Sequence, residues 1–325
     1  MKFFLNELSL TGQFNSSESF IIHFKDIISL KERYINFFKI FYFPRGLPEL
    51  KVSGEKSFRE AVNSTGDRDF IRKVILWLDR QGPFIEPDSF ELEGDFIYEM
   101  DGNDISGTSL AYATDLAYFN SMVKTYSFDS ATPSYSHSPL KISYFFNDEI
   151  SNVEIENFWD LTALECIAKQ YEVDDACLGS YPDSWDKFLQ YVAENYSYVK
   201  FSDDVKGVLK KHPFNSIACE RGIFLTSILN EYVASRNEDG SYSEKTNGIL
   251  KTYFTGGRAL FTDESASNKE QFCKEMTFVL DGEDVLCSWH GKISYRVFRM
   301  HFNYPLKHQD KSINVLYFGP KITKK

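Results

Sequence analysis

The sequence predicts an α+β protein in which helical amino-terminal and middle regions precede a carboxy-terminal antiparallel β-meander. Apolar residues recur at helical spacing in the first two regions, the hydrophobic period falls from about 3.6 to about 2 residues near the end, and short turns join the last strands. We expect a mixed α/β domain over residues 1–150, a helical region over 151–250 and a basic antiparallel-sheet domain over 251–325. A chain of 325 residues is long enough for two or three such regions with buried cores.

Two amphipathic helices are predicted in the first region. Residues 17–40 place apolar side chains near helical spacing, and Ser16 or Ser17 is positioned to cap the first turn. The second helix runs from about residue 67 to residue 80. It ends at Gln81-Gly82-Pro83, because glycine and proline both terminate helices.

The middle of the chain is predicted to be helical, after a partly buried strand within residues 140–148. Helices are expected over residues 158–172, after a cap at Asp183-Ser184, and over residues 203–211 and 215–235. The segment RNEDGSYSEKTNG, residues 236–248, is polar and contains two glycines, which is typical of a linker before the last domain.

The carboxy-terminal region predicts a short helix followed by strands. The helix is expected between a cap at Thr262 or Asp263 and about residue 275. Turns, one of them at His290-Gly291-Lys292, separate strands that are expected at residues 276–280, 285–289, 294–304 and 313–318. Because these connections are short, the strands are expected to pair in sequence as an antiparallel meander.

Positive charge is concentrated at the end of an acidic chain. The formal net charge is −11, yet residues 290–325 carry eight Lys or Arg and a single acid, Asp310, so residues 1–289 carry −18. An acidic body repels phosphate, which argues against nonspecific binding of nucleic acid or anionic membrane there. The basic tail is therefore the expected contact for RNA or another nucleic acid, and the acidic body is an expected contact for a regulatory protein.

Four residues of the tail are candidate catalytic groups: Arg299, His301, His290 and Lys292. Strand alternation places Arg299 and His301 on the face opposite Phe298, and His290 and Lys292 alternate together in the preceding segment. Arg binds phosphate bidentately, Lys acts as a point charge and His moves protons near neutral pH, so the set suits metal-free cleavage of a phosphodiester. The same residues also fit a solvated face of a half-exposed sheet, or basic strands that prevent edge aggregation.

Four further residues are candidate nucleic-acid contacts: Arg296, Lys321, Lys324 and Tyr304. The three cations would contact phosphates, and the tyrosine would stack on a base, as in proteins that bind single-stranded RNA. No metal and no cofactor are expected, because the sequence contains no CxxC pair, no Gly-rich phosphate loop and no dinucleotide fingerprint.

The carboxy-terminal motifs resemble those of a toxin family. A short helix, then YRVFRMHF in one strand and SINVLYFGPKITKK in the last, is similar to the RelE/HigB-like ribonuclease toxins over roughly residues 265–325. The resemblance implies metal-free RNA cleavage on a small antiparallel sheet. It places Arg299 at the central-strand arginine position and Lys321 at the basic position after Gly319, while Lys324 stands near where the family often carries a tyrosine. The segments LSLTGQF, WLDRQGPF, FTDES, HGKI and YFGPKITKK also resemble a group of uncharacterised bacterial proteins associated with phage-defence or mobile loci.

Two other chemistries compete with this interpretation. The acidic residues between positions 263 and 275 (Asp263, Glu264, Glu270 and Glu275) would suit Mg²⁺ beside a lysine, as in a metal-dependent nuclease. However, His290 stands where such a site needs an acid. A nucleophile pair of Cys287 and His290 is disfavoured, because alternation directs Cys287 into the core.

The sequence also limits the class of protein. Five widely spaced cysteines do not form a disulfide framework, the start MKFFLNELSLTG is too short for a signal-peptide core, and no apolar run reaches the ~18 residues of a membrane span. We therefore expect a cytoplasmic protein without membrane contact. The leading prediction is a toxin or effector of a bacterial anti-phage or toxin–antitoxin-type system, acting on RNA through the basic sheet as a metal-free endoribonuclease. The alternative is a non-catalytic subunit of a defence complex that binds nucleic acid or protein.

Overall fold

The structure is a computed structural model that describes residues 1–11, 14–54, 56–85, 96–119, 122–129, 135–146, 149–178, 182–294 and 298–323. These residues form two compact units, the first containing the described residues up to 178 and the second those from 182 onward. Both units contain helices and strands, in agreement with the predicted α+β class. Within these ranges, no helix combines the length and the apolar character needed to cross a membrane.

The first unit combines a large sheet with the helices that connect its strands. Its helices are α1 (Ser17–Arg33), α2 (Phe58–Asn63), α3 (Arg68–Ile75), α4 (Ser109–Tyr118) and α5 (Leu161–Leu178). Its strands are β1 (Lys2–Leu5), β2 (Phe41–Pro44), β3 (Lys51–Ser53), β4 (Lys56–Ser57), β5 (Phe84–Ile85), β6 (Ile97–Met100), β7 (Asn103–Asp104), β8 (Val123–Tyr126), β9 (Leu140–Phe146) and β10 (Glu149–Phe158).

The sheet of the first unit is rich in parallel strands, which corrects the prediction of a mainly helical amino-terminal region. Its strand order is β5-β2-β1-β8-β10-β9-β6-β7, with parallel pairing from β5 to β10 and antiparallel pairing from β10 to β7. Strand β1, KFFL, is a short apolar run, and periodicity does not distinguish such a run from helix. The expected boundary at residue 150 falls inside β10, so β10 and the helix that follows it belong to the first unit.

Aromatic side chains form much of the core of the first unit. Phe3 and Phe41, on neighbouring strands, are fully buried and stack with their ring centroids 5.8 Å apart. Helix α1 contributes Phe24, whose ring stacks 6.2 Å from that of Trp77. The helix expected over residues 17–40 ends earlier, at Arg33, because the chain then turns into β2.

The second unit is built around a smaller sheet. Its helices are α6 (Trp185–Asn195), α7 (Asp203–Leu209), α8 (Ser216–Ala234), α9 (Glu244–Tyr253) and α10 (Ala266–Gln271). Its strands are β11 (Val199–Phe201), β12 (Phe261–Asp263), β13 (Thr277–Leu280), β14 (Glu283–Leu286), β15 (Trp289–Ser294), β16 (Phe298–Phe302) and β17 (Ile313–Pro320). The sheet has the order β11-β17-β16-β15-β12, and only the pairing of β11 with β17 is parallel.

The antiparallel carboxy-terminal sheet is confirmed, but its strands do not follow the predicted sequential order. Strands β13 and β14 pair with each other as a separate hairpin, and β12 takes the place beside β15. The predicted turn at residues 290–292 is wrong, because these residues lie within β15. Gly291 allows α8 to approach this strand closely: a Cβ atom there would lie 2.9 Å from Cδ1 of Leu225.

The segment expected to be a linker, residues 236–248, is a packed part of the second unit. Arg236 donates hydrogen bonds from Nη1 to the Asp310 carbonyl and from Nη2 to the Lys307 carbonyl, both at 2.8 Å. Gly240, with a φ of 81°, approaches the next loop so closely that a Cβ atom would lie 2.0 Å from the His308 oxygen. The expected division at residue 250 therefore does not separate two compact units.

Candidate functional site

The pairing of β15 with β16 brings the four candidate catalytic residues together. His290 pairs with His301, and Lys292 pairs with Arg299. Because paired residues and residues two apart share a sheet face, all four side chains start from the face opposite α8. The two imidazole ring centroids are 5.3 Å apart.

The imidazoles on this face are covered rather than solvated. His290 is 5% exposed and His301 is 1% exposed, whereas Lys292 and Arg299 are half-buried. The β13–β14 hairpin covers this face through Phe278, whose ring centroid lies 6.4 Å from that of His301 and 6.0 Å from that of Tyr317. The interpretation as an ordinary solvated face therefore does not apply to the two histidines.

His301 is held as a neutral imidazole. Its Nδ1 lies 2.9 Å from the carbonyl oxygen of Cys287, so this nitrogen carries the proton and donates it. Burial and, to a smaller extent, the nearby charge of Arg299 lower the pKa of His301 to about 4, against the opposing effect of that hydrogen bond. At neutral pH the ring therefore carries no charge.

His290 is also neutral, and it lies against a buried carboxylate. Its Nδ1 is 3.5 Å from Oε1 of Glu264, and its Nε2 is 3.4 Å from Oγ1 of Thr262. Burial, together with the neighbouring His301, Arg299 and Lys292, lowers the pKa of His290 to about 2. The positive charge of the site is thus carried by Lys292 and Arg299.

Two carboxylates, one on β12 and one directly after it, border the site, and each accepts hydrogen bonds from other side chains. Glu264 accepts a hydrogen bond at Oε2 from Nδ2 of Asn268, 2.7 Å away. Asp263 accepts one from the hydroxyl of Ser288 at 2.7 Å and forms an ion pair with Lys269. Among the described residues, no group of three or more His, Cys, Asp or Glu side chains is arranged to hold a metal ion. The acidic cluster of the competing Mg²⁺ interpretation is therefore not assembled in the described part of the chain.

The remaining candidates lie apart from these four residues or outside the described ranges. Lys321 follows the end of β17 and is half-buried. Tyr304 packs among the rings of Trp289 and Phe254, with centroids 4.8 and 5.1 Å away, and burial raises the pKa of its hydroxyl. Since Trp289 alternates with His290, Tyr304 lies on the other side of the sheet, in a position that packing explains. Arg296 and Lys324 lie outside the described residues.

Cys287 does not have the properties of a nucleophile. Its side chain is buried, and burial raises the pKa of the thiol to about 12. A thiol in this environment is not ionised at neutral pH, and the thiolate is the reactive form. The carbonyl oxygen of Cys287, rather than its sulfur, accepts the His301 hydrogen bond.

Sequence reasoning missed two contributors to the site, Glu264 as the neighbour of His290 and Phe278 as the cover over His301. The sequence indicates Glu264 only as a ligand of the competing metal site. Its pairing depends on β12 lying beside β15, and a strand of three residues gives little periodic signal. Comparison of the chain with protein-family models, curated proteins and solved structures finds no match. The resemblance to RelE/HigB-like ribonuclease toxins therefore stays a prediction.

Proposed function

We propose that the protein is an RNA-directed toxin or effector of a bacterial defence or toxin–antitoxin-type system, and that Lys292 and Arg299 bind the RNA phosphodiester. The observation that supports this proposal is the cross-strand pairing of these two cations on one sheet face. Guanidinium and ammonium groups side by side match the bidentate and point-charge modes of phosphate binding. Half-burial strengthens their attraction for an anion, because water screens the charges less.

Metal-free cleavage at this site would use the neutral imidazole of His290 as a base. The Glu264 carboxylate lies 3.5 Å from Nδ1 of the ring, and this nitrogen makes no hydrogen bond to the described residues, so Glu264 would act as the orienting acid only after moving closer. A phosphate bound between Lys292 and Arg299 would offset the two charges that lower the pKa of His290, so substrate binding itself would make the ring more basic. Cleavage requires that the β13–β14 hairpin moves, because it covers the imidazoles.

The alternative, a subunit that binds nucleic acid or protein without catalysis, is supported by the burial of His290 and His301. A buried neutral imidazole moves protons poorly near neutral pH, whereas the two cations bind phosphate without it. A regulatory protein would then contact the acidic body. Most of the negative charge of this body lies in residues 1–179, which carry 29 Asp or Glu and 16 Lys or Arg. RNA binding without cleavage or growth arrest would identify this alternative.

The test combines growth, binding and cleavage. Wild type, Arg299→Ala and Lys292→Ala are expressed in bacteria, purified, and titrated into a fluorescein-labelled single-stranded RNA with and without EDTA. Each substitution should make the slope of log affinity against log salt less negative by about 0.7, because one phosphate contact is lost. Arg299→Ala should also lower any cleavage rate roughly 10²-fold or more, with EDTA without effect.

Lys251→Ala is the matched control, because Lys251 is an exposed lysine on α9 of the same unit. It should bind RNA nearly as the wild type does. The proposal is refuted if wild type does not bind RNA, or if Arg299→Ala arrests growth and binds RNA as well as wild type at equal soluble yield.

A further inference from the structure

Two neighbouring parallel strands of the first unit end side by side where the chain reverses its direction across the sheet. Strand β1 lies between β2 and β8 and is parallel to both. After β1 the chain continues to β2 on one side, and it later enters β8 on the other side. Ligands of open parallel sheets bind outside the carboxyl ends of strands at such a reversal. The residues that directly follow β1 and β8 therefore occupy the position where a ligand of this sheet is expected.

The residues after the two strands are polar, and hydrogen bonds fix them in place. Asn6 follows β1 and donates from Nδ2 to Oγ of Ser127, which follows β8, at 3.0 Å. Ser127 donates in turn to Oδ1 of Asn157 on β10, at 2.8 Å. All three side chains are buried. The residue after Asn6, which is Glu7, therefore starts from a well-defined backbone position.

Glu7 is a buried carboxylate whose two oxygens have different surroundings. The residue is 7% exposed, and its Oε1 accepts a hydrogen bond at 2.8 Å from the backbone N–H of Ser109, the first residue of α4. Because the side chain of the N-cap residue Thr108 makes no capping hydrogen bond, Glu7 caps this helix instead. Oε2 of Glu7 and the hydroxyl of Ser109 are buried and make no hydrogen bond within the part of the chain that the structure describes. Helix capping thus explains Oε1 and leaves Oε2 unexplained.

No positive group of the described residues compensates the charge of Glu7. No Lys or Arg among them forms an ion pair with this carboxylate or shifts its pKa. Burial raises the pKa of Glu7, and Ser109 opposes that shift. An unpaired oxygen on a buried carboxylate lowers the free energy of unfolding, because it has lost its hydrogen bonds to water.

A structural carboxylate of the same unit is hydrogen-bonded at both oxygens. Glu172 on α5 accepts at Oε1 from the backbone N–H groups of Asn36 and Phe37, at 2.6 and 3.2 Å. It accepts at Oε2 from Nδ2 of Asn36, at 2.8 Å. Glu172 therefore uses both oxygens to hold the chain, whereas Glu7 keeps one acceptor for a further donor. Buried polar atoms without a partner are rare in folded proteins and indicate a function or a bound molecule.

We propose that Glu7 and Ser109 bind the ammonium group of a primary amine at the carboxyl ends of β1 and β8. Oε2 of Glu7 would accept one N–H of the ligand, the hydroxyl of Ser109 would accept another, and the ammonium charge would compensate the carboxylate. An ammonium group is compact, which suits a carboxylate that is only 7% exposed. Residues 1–179 carry 29 Asp or Glu and 16 Lys or Arg, so the first unit attracts a cation and repels phosphate. This site belongs to the first unit and does not depend on RNA binding by the second.

The experiment is an NMR titration of the full chain with n-butylammonium chloride, followed at the backbone amide of Ser109. Tetramethylammonium chloride is the control ligand, because it carries the same charge and no N–H donor. The Ser109 resonance of wild type should shift to saturation with the first salt and stay in place with the second. Glu7→Gln keeps the size of the side chain and removes its charge, so it should weaken binding at least about tenfold. Glu172→Gln, the matched control variant, should bind the amine as wild type does.

Thermal unfolding without the amine separates a binding carboxylate from a purely structural one. Glu7→Gln should unfold at the same temperature as wild type or at a higher one, because it removes an uncompensated buried charge. Glu172→Gln should unfold at a lower temperature, because both oxygens of Glu172 hold N–H groups. Ser109→Ala, a smaller change, should weaken amine binding several-fold and provides a second variant if Glu7→Gln does not fold.

Three results would overturn the proposal. The first is the absence of a saturable shift in wild type up to about 10 mM amine, which would leave a buried water as the partner of Oε2. The second is an equal shift with tetramethylammonium, which would show general attraction of cations by the acidic unit. The third is unchanged amine affinity in Glu7→Gln, or in Ser109→Ala where Glu7→Gln does not fold.

Discussion

Lowering the pH should destabilise the second unit through its two buried histidines. In the unfolded chain both imidazoles have the ordinary pKa of 6.5, whereas in the folded protein burial lowers the pKa of His301 to about 4 and that of His290 to about 2. Between these values the unfolded chain binds protons that the folded chain does not. The free energy of unfolding is therefore fully retained above pH 6.5 and falls as the pH drops below it.

The size of this loss in unfolding free energy follows from the pH interval between 6.5 and the working pH. At about pH 4.5 the unfolded imidazoles are almost completely protonated, while His290 and most of the His301 population remain neutral in the folded state. Two pH units at about 1.4 kcal/mol per unit give about 2.8 kcal/mol for His290 and slightly less for His301, or about 5 kcal/mol for the pair. Carboxylates titrate in the same range, so the contribution of the histidines must be isolated by difference.

Urea unfolding at several pH values between about 7 and 4.5 provides the measurement. Wild type is compared with His301→Gln and with His290→Gln/His301→Gln, and the stability difference between each variant and wild type is plotted against pH. That difference should shrink as the pH falls, because the variants lack the groups that protonate on unfolding. His308→Gln, which changes an exposed histidine on the loop after β16, should run parallel to wild type.

The reasoning is refuted if all four proteins lose stability in parallel, or if the wild-type imidazole resonances of His290 and His301 titrate near 6.5 in NMR. The offset between wild type and the variants at pH 7 reports a packing cost. The test depends on how that offset changes as the pH falls, and an offset that stays constant counts as the refuting result.

Three further substitutions test the packing described above. Trp77→Ala should lower the free energy of unfolding by about 3–5 kcal/mol in urea titrations, because the indole is buried and stacked in the aromatic core of the first unit. Arg236→Ala should lower the free energy of unfolding by about 2–3 kcal/mol through its lost hydrogen bonds to carbonyls, and chymotrypsin should cleave it at Tyr242 faster than it cleaves wild type. Phe278→Ala should raise the pKa of His301 toward 6.5 in an NMR titration by exposing the ring to water, and an unchanged pKa would show that the hairpin is not its cover.

The sequence predicted best those elements whose signal is local. Ser16 caps α1 and Ser184 caps α6, each hydroxyl accepting a hydrogen bond from the backbone three residues on, as expected from residue type alone. Alternation also placed Arg299 and His301 opposite Phe298, because side-chain direction in a strand depends only on position.

What the sequence could not predict depends on contacts between distant segments. The apolar run KFFL becomes a buried parallel strand only because β2 and β8 lie beside it. A glycine at position 291 is equally consistent with a turn and with a strand on which a helix packs closely. The second applies here, because Leu225 of α8 lies against Gly291. The cover over His301 likewise depends on Phe278, in a hairpin that pairs only with itself among the described strands. Alternation predicts the two strands of this hairpin but not the face on which it packs.

Two features of the second unit, the neutral imidazoles and the cation pair, act on each other. Lys292 and Arg299 disfavour the charged form of His290, so the fully protonated site would hold four positive groups on adjacent positions of two strands. Burial of the two imidazoles prevents that accumulation at neutral pH by keeping both rings neutral. An anion bound to Lys292 and Arg299 would offset their charges. The pKa values of His290 and His301 would then rise, and a protonated ring would add positive charge next to the ligand. Phosphate binding and histidine protonation at this face are therefore expected to be coupled, each strengthening the other, because linkage between two sites is reciprocal.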